Sequence, residues 1–419
     1  MTVRRREIIF VEAYDPQGAE GYFRLFRSAW KRSLNVWQLT GNLGDLMIDS
    51  PDQAHWNVEL AGPNWRTSTR YNFLRQERII RGNMSQPMMR QLPRAFRWML
   101  DDLFSGTLFR IFRASWQFGL VLIYFQTLLL LWLLIAASCG AVAALAVHPL
   151  LGAGEWIAGA AGLASALAGF VAVRPFFAKH HVIQINNHWP YLREFGRGVP
   201  NSLDISIEAG AKRLVEIARA KAVDELLIIG HSGGCVLAPA IVVRALEQEP
   251  ELGRLGPRVV LMTLGSIMPA VALHPRAEKA RQILRRLALE PSLKWIDCQS
   301  RKDVLNFWNF DPIKGVGIEL SERRSNPLIW QVRFRDMVSP EAYRRLRFNF
   351  FRLHYQFIMG GERRASYDFV LLTCGPFFAR DWAENPSRTF GLIAADGMLA
   401  TQPTQAGEPQ PAQEAANPP

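Results

Sequence analysis

The longest apolar run in the chain lies between Ala114 and Gly154, where no Asp, Glu, Lys or Arg occurs. A bilayer crossing needs only ~20 such residues. After Glu155 a second uncharged stretch, WIAGAAGLASALAGFVAV, continues up to Arg174. The pattern predicts two transmembrane helices, roughly Trp116–Leu145 and Trp156–Phe176, joined by a turn at His148–Gly154. The second is rich in Gly and Ala, which lets it approach the first closely.

On either side the periodicity is that of a mixed α/β protein. EIIFVEA (Glu7–Ala13) reads as a strand. Tyr22, Leu25, Phe26, Ala29 and Trp30 fall at helical spacing, and NVWQLT reads as a second strand. Residues 51–108 are aromatic and arginine-rich and give no assignment. Beyond the hairpin, HVIQI reads as a short strand and SIEAGAKRLVEIARAKA as a helix. LLIIG, RVVLMTLG, LKWIDCQ and LIWQVRFR read as strands, and CVLAPAIVVRALEQ and AEKARQILRRLAL as helices between them. A basic, aromatic helical stretch, SPEAYRRLRFNFFRLHYQF, follows. Strands alternating with helices predict an α/β fold, a mostly parallel sheet covered on both faces and interrupted by the hairpin.

The expected organisation is therefore residues 1–108 as the N-terminal part of the α/β domain with a basic juxtamembrane region, and 109–178 as the transmembrane hairpin. Residues 179–400 form the main part of the domain. Residues 401–419, rich in Pro, Gln and Ala, form a disordered tail.

A formal charge of +12 favours an anionic partner. Ten arginines against three acids lie between Arg66 and Arg113, and Arg174 and Lys179 follow the second apolar run, whereas the connecting turn has no Lys or Arg. By the positive-inside rule both flanks and both termini face the cytoplasm, as in a bacterial-type inner membrane. Anionic head groups then account for the charge. No zinc-finger, RNA-recognition or helix-turn-helix pattern is present, so no nucleic-acid partner is expected. Four scattered cysteines give no CxxC pair, and neither a disulfide nor a metal nor a cofactor is expected. The oligomeric state does not follow.

The candidate chemistry lies in ELLIIGHSGGCVLAPAI, where Gly230-His231-Ser232-Gly233-Gly234 fits G-x-S-x-G between a strand and a helix. Small residues two before and two after the serine let strand and helix approach closely, and this forces the serine onto a strained turn. A phosphate-binding turn is the rival, but the Walker lysine and the GxGxxG spacing are missing. A serine nucleophile needs a base, and the base an orienting acid. Past the later strands His354 is the one remaining histidine. The motif resembles the serine turn of the α/β-hydrolases, in whose chain order the base follows the acid. That order implies His354 and leaves His274, ahead of the candidate acids, out of order, while His231 cannot easily turn back on its neighbour. Asp303, in the loop after KWIDCQ, is preferred as the acid, because active-site groups gather at the carboxyl ends of such strands. Asp297, within the strand, is the alternative, and Asp311 in FDPIKG a third choice. The oxyanion donors are expected from the backbone N–H of Gly233 and from the loop after the first strand, near Tyr14 or Asp15. The Asp15 side chain suits turn capping better than catalysis.

With IIGHSGG, KWIDCQSRKD and the late His354, the chain resembles the α/β-hydrolase superfamily, its lipase- and esterase-like serine hydrolases, and bacterial members with an inserted transmembrane helix pair. The resemblance covers the N-terminal strand-loop-helix and Val182 to about Cys374, and no HGGG oxyanion motif is present. It implies an acyl-enzyme mechanism with Ser232 as nucleophile, His354 as proton shuttle and Asp303 as its orienter. The expected function is a membrane-anchored, cytoplasm-facing esterase acting on a small-molecule or lipid acyl ester. The alternatives are a non-catalytic membrane scaffold and an acyltransferase with the same triad.

Overall fold

A computed structural model describes residues 2–12, 15–152, 154–321 and 323–400, with the side chains of 148–151 left out. The tail expected to be disordered and the Tyr14 oxyanion candidate lie outside the described residues.

The chain begins with β1 (Arg5–Val11) and α1 (Gly18–Trp37), then β2 (Thr40–Leu43), β3 (Met47–Ser50), β4 (Gln53–Gly62) and β5 (Trp65–Leu74). Three helices follow, α2 (Glu77–Met84), α3 (Met88–Phe104) and α4 (Thr107–Ala114), before the long pair α5 (Trp116–Leu151) and α6 (Glu155–Lys179). Next come α7 (Val182–Arg197), α8 (Leu203–Ala220), β6 (Glu225–His231), α9 (Gly234–Gln248) and β7 (Arg258–Leu264). Then α10 (Met268–Ala272), α11 (Glu278–Leu289), β8 (Lys294–Gln299) and β9 (Leu328–Gln331) lead into the short helices α12 (Phe334–Met337), α13 (Pro340–Leu346) and α14 (Phe350–His354).

The strands form one sheet in the order β2-β4-β5-β1-β6-β7-β8-β9, with β3 on β4. From β5 to β9 every pairing is parallel, while β4 runs antiparallel to β5, β2 and β3. The expected α/β class with a mostly parallel sheet is what the chain forms. Because β1 pairs with β6, segments before and after the apolar hairpin share one sheet.

Strand residues alternate between two cores. Ile9, Val11, Leu226, Ile228, Val259 and Leu261 face one cluster, and Ile8, Phe10, Leu227, Ile229, Val260 and Met262 the other. Burial on both faces explains why these strands read as unbroken apolar runs. β4 instead alternates, with Ala54, Trp56, Val58 and Leu60 buried.

Three local expectations are corrected. Asn35–Trp37 of NVWQLT belong to the last turn of α1, which ends at Gln38 in a left-handed conformation (φ 55°). The pull comes from Trp37, fully buried, whose indole donates to Asp368 at 3.2 Å. HVIQI is helical, because its apolar residues continue through Trp189, Leu192 and Phe195 as the buried stripe of α7. LIWQVRFR is a strand only to Gln331, and α12 begins at Phe334.

Both α5 and α6 are long and apolar enough to cross a membrane, and only 22% and 11% of their most apolar windows is buried within the chain. α5 is longer than expected, running through the anticipated turn to Leu151. Small residues bring the two together. A Cβ on Gly140 would stand 2.9 Å from Gly162 O, and one on Gly162 2.9 Å from the Ala144 Cβ. Trp132 stacks on Phe170 with ring centroids 4.5 Å apart, and its indole donates to the Phe170 carbonyl at 3.0 Å. At ~1.5 Å per residue, α5 exceeds the ~30 Å of a hydrocarbon core by many residues. Its first turns are used otherwise: Phe118 and Leu122 belong to the core of the α/β domain, and Phe118 packs on Phe307 at 5.0 Å.

Candidate active site

In a parallel sheet the carboxyl strand ends gather loops, and ligands favour the point where successive strands leave in opposite directions. Here β1 is that point, with β5 on one side and β6 on the other. Ser232 follows β6 directly, Asp15 lies after β1, Gly265 follows β7, and Asp303 lies in the loop after β8.

Ser232 has φ 55°, in the left-handed region that a side chain rarely adopts. Its N–H donates to Leu264 O at 3.0 Å, and its carbonyl accepts from Cys235 N at 3.1 Å, so both flanks hold the turn. The glycines around it are demanded by contact. A Cβ on Gly230 would meet Gly234 O at 2.6 Å, and one on Gly234 would meet Val11 O at 2.1 Å and Glu12 O at 2.7 Å. Gly234→Ala is therefore expected to cost at least about 3 kcal/mol by forcing α9 off β1; denaturant unfolding of the detergent-solubilised chain measures it, and a loss below about 1 kcal/mol would refute the close-approach argument.

His354, the last residue of α14, is buried and donates from Nδ1 to Asp303 Oδ2 at 2.7 Å. Asp303 is fully buried, and its Oδ1 accepts from Leu305 N at 2.9 Å, so the loop backbone aims the carboxylate. Gly265 (φ 60°) makes room for the ring: a Cβ there would stand 2.7 Å from His354 Cε1. Among the described residues the buried Nε2 of His354 has no hydrogen-bond partner. Ser232 and His354 line one cavity of about 360 Å³, together with Asp15, His231, Tyr355 and the start of α5.

The other acids are engaged elsewhere. Asp297 points into the sheet's flank, accepting from Thr263 Oγ1 at 2.5 Å and Gln299 Nε2 at 2.8 Å, and burial pushes it up to about 6. Asp311 pairs with Arg324 at 2.6 Å. His274 pairs with Asp101 at 2.9 Å, away from the cavity. Asp101, Asp102 and His274 are close enough to suggest a metal cluster, but Arg197 and Arg193 already pair with the two carboxylates, and two guanidiniums would repel a cation.

His231 lines the cavity without joining the acid. Its Nε2 donates to the His354 carbonyl at 3.4 Å and its ring packs 4.7 Å from that of His354. Burial, and then His354, hold it well below the ordinary histidine range, so it stays neutral. Of the expected oxyanion donors, Gly233 is the cap of α9, where helix N–H groups begin. The Asp15 carboxylate caps its own turn, accepting from Gln17 N at 2.9 Å, and takes a hydrogen bond from Tyr355.

Sequence reasoning missed two contributions. Tyr355 adjoins His354 and bonds Asp15, so one short segment serves both the late histidine and the loop after β1; burial and then Asp15 keep its phenol well above the ordinary range. Phe118, Val121, Leu122 and Phe125 of α5 line the cavity, a role their uniformly apolar run could not signal. No family model, no curated protein and no solved structure matches the chain.

Proposed function

We propose that the chain is a membrane-anchored serine hydrolase of α/β-hydrolase type, cleaving a carboxylic ester through Ser232, His354 and Asp303. One observation carries this reading: a serine on a left-handed turn shares a cavity with an unpartnered imidazole nitrogen whose ring is held from behind by a buried carboxylate.

In this mechanism Nε2 of His354 takes the Ser232 proton as Oγ bonds to the acyl carbonyl carbon. The Gly233 N–H donates to the oxyanion, and collapse of the tetrahedral intermediate expels the alcohol, which receives the proton from His354. Water, deprotonated by His354, then attacks the acyl-enzyme to release the carboxylic acid and restore the serine. Asp303 keeps the Nδ1 proton in place and favours the imidazolium formed in both steps.

The test is covalent. The detergent-solubilised chain is expected to label with a fluorophosphonate, and Ser232→Ala to abolish labelling. If the unaltered chain stays unlabelled, or Ser232→Ala labels equally, the reading is wrong. The arginines before α5 and Arg174 and Lys179 at the end of α6 support a cytoplasmic α/β domain. Tags at both termini should then resist protease added to intact spheroplasts, and cleavage of either would reverse the orientation.

A further inference from the structure

A second concavity adjoins the first. Trp116, Leu120 and Tyr124 form one face of α5 at four-residue spacing, and with Phe348 and Phe350 across from them they wall a groove of about 830 Å³. The groove shares Val121, Phe125, His181, Leu305 and Phe351 with the cavity that holds Ser232, so the two abut.

The mouth of the groove is apolar and open. Trp116 is 62% and Phe348 75% exposed, and Leu120, Tyr124 and Phe350 are exposed as well. Such a patch is a liability in water, but it lies where α5 continues directly into an apolar span. Trp and Tyr at that level suit the boundary between head groups and acyl chains. Its rim is basic: Lys179 lines the groove, and Arg344, Arg345, Arg347 and Arg352 are exposed on the segment that carries Phe348 and Phe350. Between Ala342 and Ile358 there is no acid. A molecule fitting this arrangement has a long apolar chain at bilayer depth and a negative group at the surface.

We propose that the groove admits the acyl chain of an anionic glycerophospholipid sideways from the leaflet around the root of the hairpin, and delivers its ester carbonyl to Ser232. This rests on the serine-hydrolase reading above. The α5 wall from Trp116 to Phe125 runs about 13 Å along the helix, at ~1.5 Å per residue. The acyl chain therefore passes around α5 from the outward face of Trp116, Leu120 and Tyr124 to the neighbouring face of Phe118 and Leu122 that lines the cavity, with the shared Val121 and Phe125 between them. A dissolved short ester has no use for that wall.

The experiment uses the full chain with Ser232→Ala in vesicles of phosphatidylcholine and phosphatidylglycerol, the latter carrying a diazirine in one acyl chain. After irradiation, cross-linked peptides are mapped by mass spectrometry. Cross-links at Leu305 and Phe351, which line both concavities, are expected. They should fall about tenfold with Val121→Trp, which narrows the junction, the factor for two methylenes losing burial. Phe348→Glu, at an exposed position, should lower them too, with the melting temperature of each variant reporting that it is folded. Cross-links confined to outward residues of the hairpin such as Leu163 and Leu167, or unchanged in both variants, overturn the proposal. If fluorophosphonate labels Ser232 but these cross-links are missing, the groove proposal falls alone. If labelling fails while they persist, the hydrolase reading falls and the lipid groove stands.

Discussion

Asp303→Asn is expected to lower ester turnover by about 10⁴-fold while leaving the chain folded. The carboxylate accepts the Nδ1 proton of His354 at 2.7 Å. An asparagine turned to donate its amide to Nδ1 would drive the proton to Nε2, the nitrogen that in the proposed mechanism accepts from Ser232. Folding survives because the substitution is isosteric and the Leu305 N–H can still be satisfied. Asp297→Asn is the contrasting case, with turnover changed by less than about threefold, since among the described residues that carboxylate accepts hydrogen bonds from Thr263 and Gln299 rather than from His354. Rates of a soluble ester substrate for the two variants decide the matter, and a large loss with Asp297→Asn alone would reverse the assignment.

Asp297 carries a pH signature in stability. Burial raises Asp297 from the ordinary 3.8 to about 6 in the folded chain. Below 3.8 both states hold the proton. As pH rises from there to about 6, the unfolded chain releases it first and the folded state loses relative stability. Melting temperatures of wild type should therefore fall relative to Asp297→Asn across that window and run parallel above it.

Arg6→Met is expected to cost about 3–5 kcal/mol, a large share of the ~5–15 kcal/mol that holds a typical domain together. Arg6 and Glu225 are fully buried and pair at 2.6 Å, joining the starts of β1 and β6. The guanidinium also donates to the carbonyls of Thr373, Gly375 and Phe377. Its removal strands a buried carboxylate and leaves three carbonyls without that donor. The loss exceeds what the pair itself contributes, so Arg6→Met with Glu225→Leu should recover part of it. Denaturant midpoints for the two single variants and the double variant measure this. A single-variant loss under about 1 kcal/mol would show that water reaches the pair.

What local sequence decides, it decided here. Ile228-Ile229-Gly230-His231-Ser232-Gly233-Gly234 reads as a strand, a tight turn and a helix start through residue size, because the clash that excludes a Cβ at 230 involves backbone only four residues away, whereas the one at 234 comes from Val11 and Glu12 and is tertiary. The apolar runs of α5 and α6 are legible for the same reason, since length and lack of charge are local properties. β4 went unread although its buried Ala54, Trp56, Val58 and Leu60 alternate, because the aromatic and arginine content around it obscured the period. HVIQI misled because five apolar-rich residues cannot separate a period of two from one of 3.6. The sequence already preferred Asp303 to Asp297 from its place past the strand's end; only the tertiary structure shows where each carboxylate goes, the strand's pleat sending Asp297 to Thr263 and the loop's turn sending Asp303 to His354. Only the tertiary structure brought the root of α5 over Ser232, because a helix apolar on every side carries no mark of which face meets lipid and which lines a cavity.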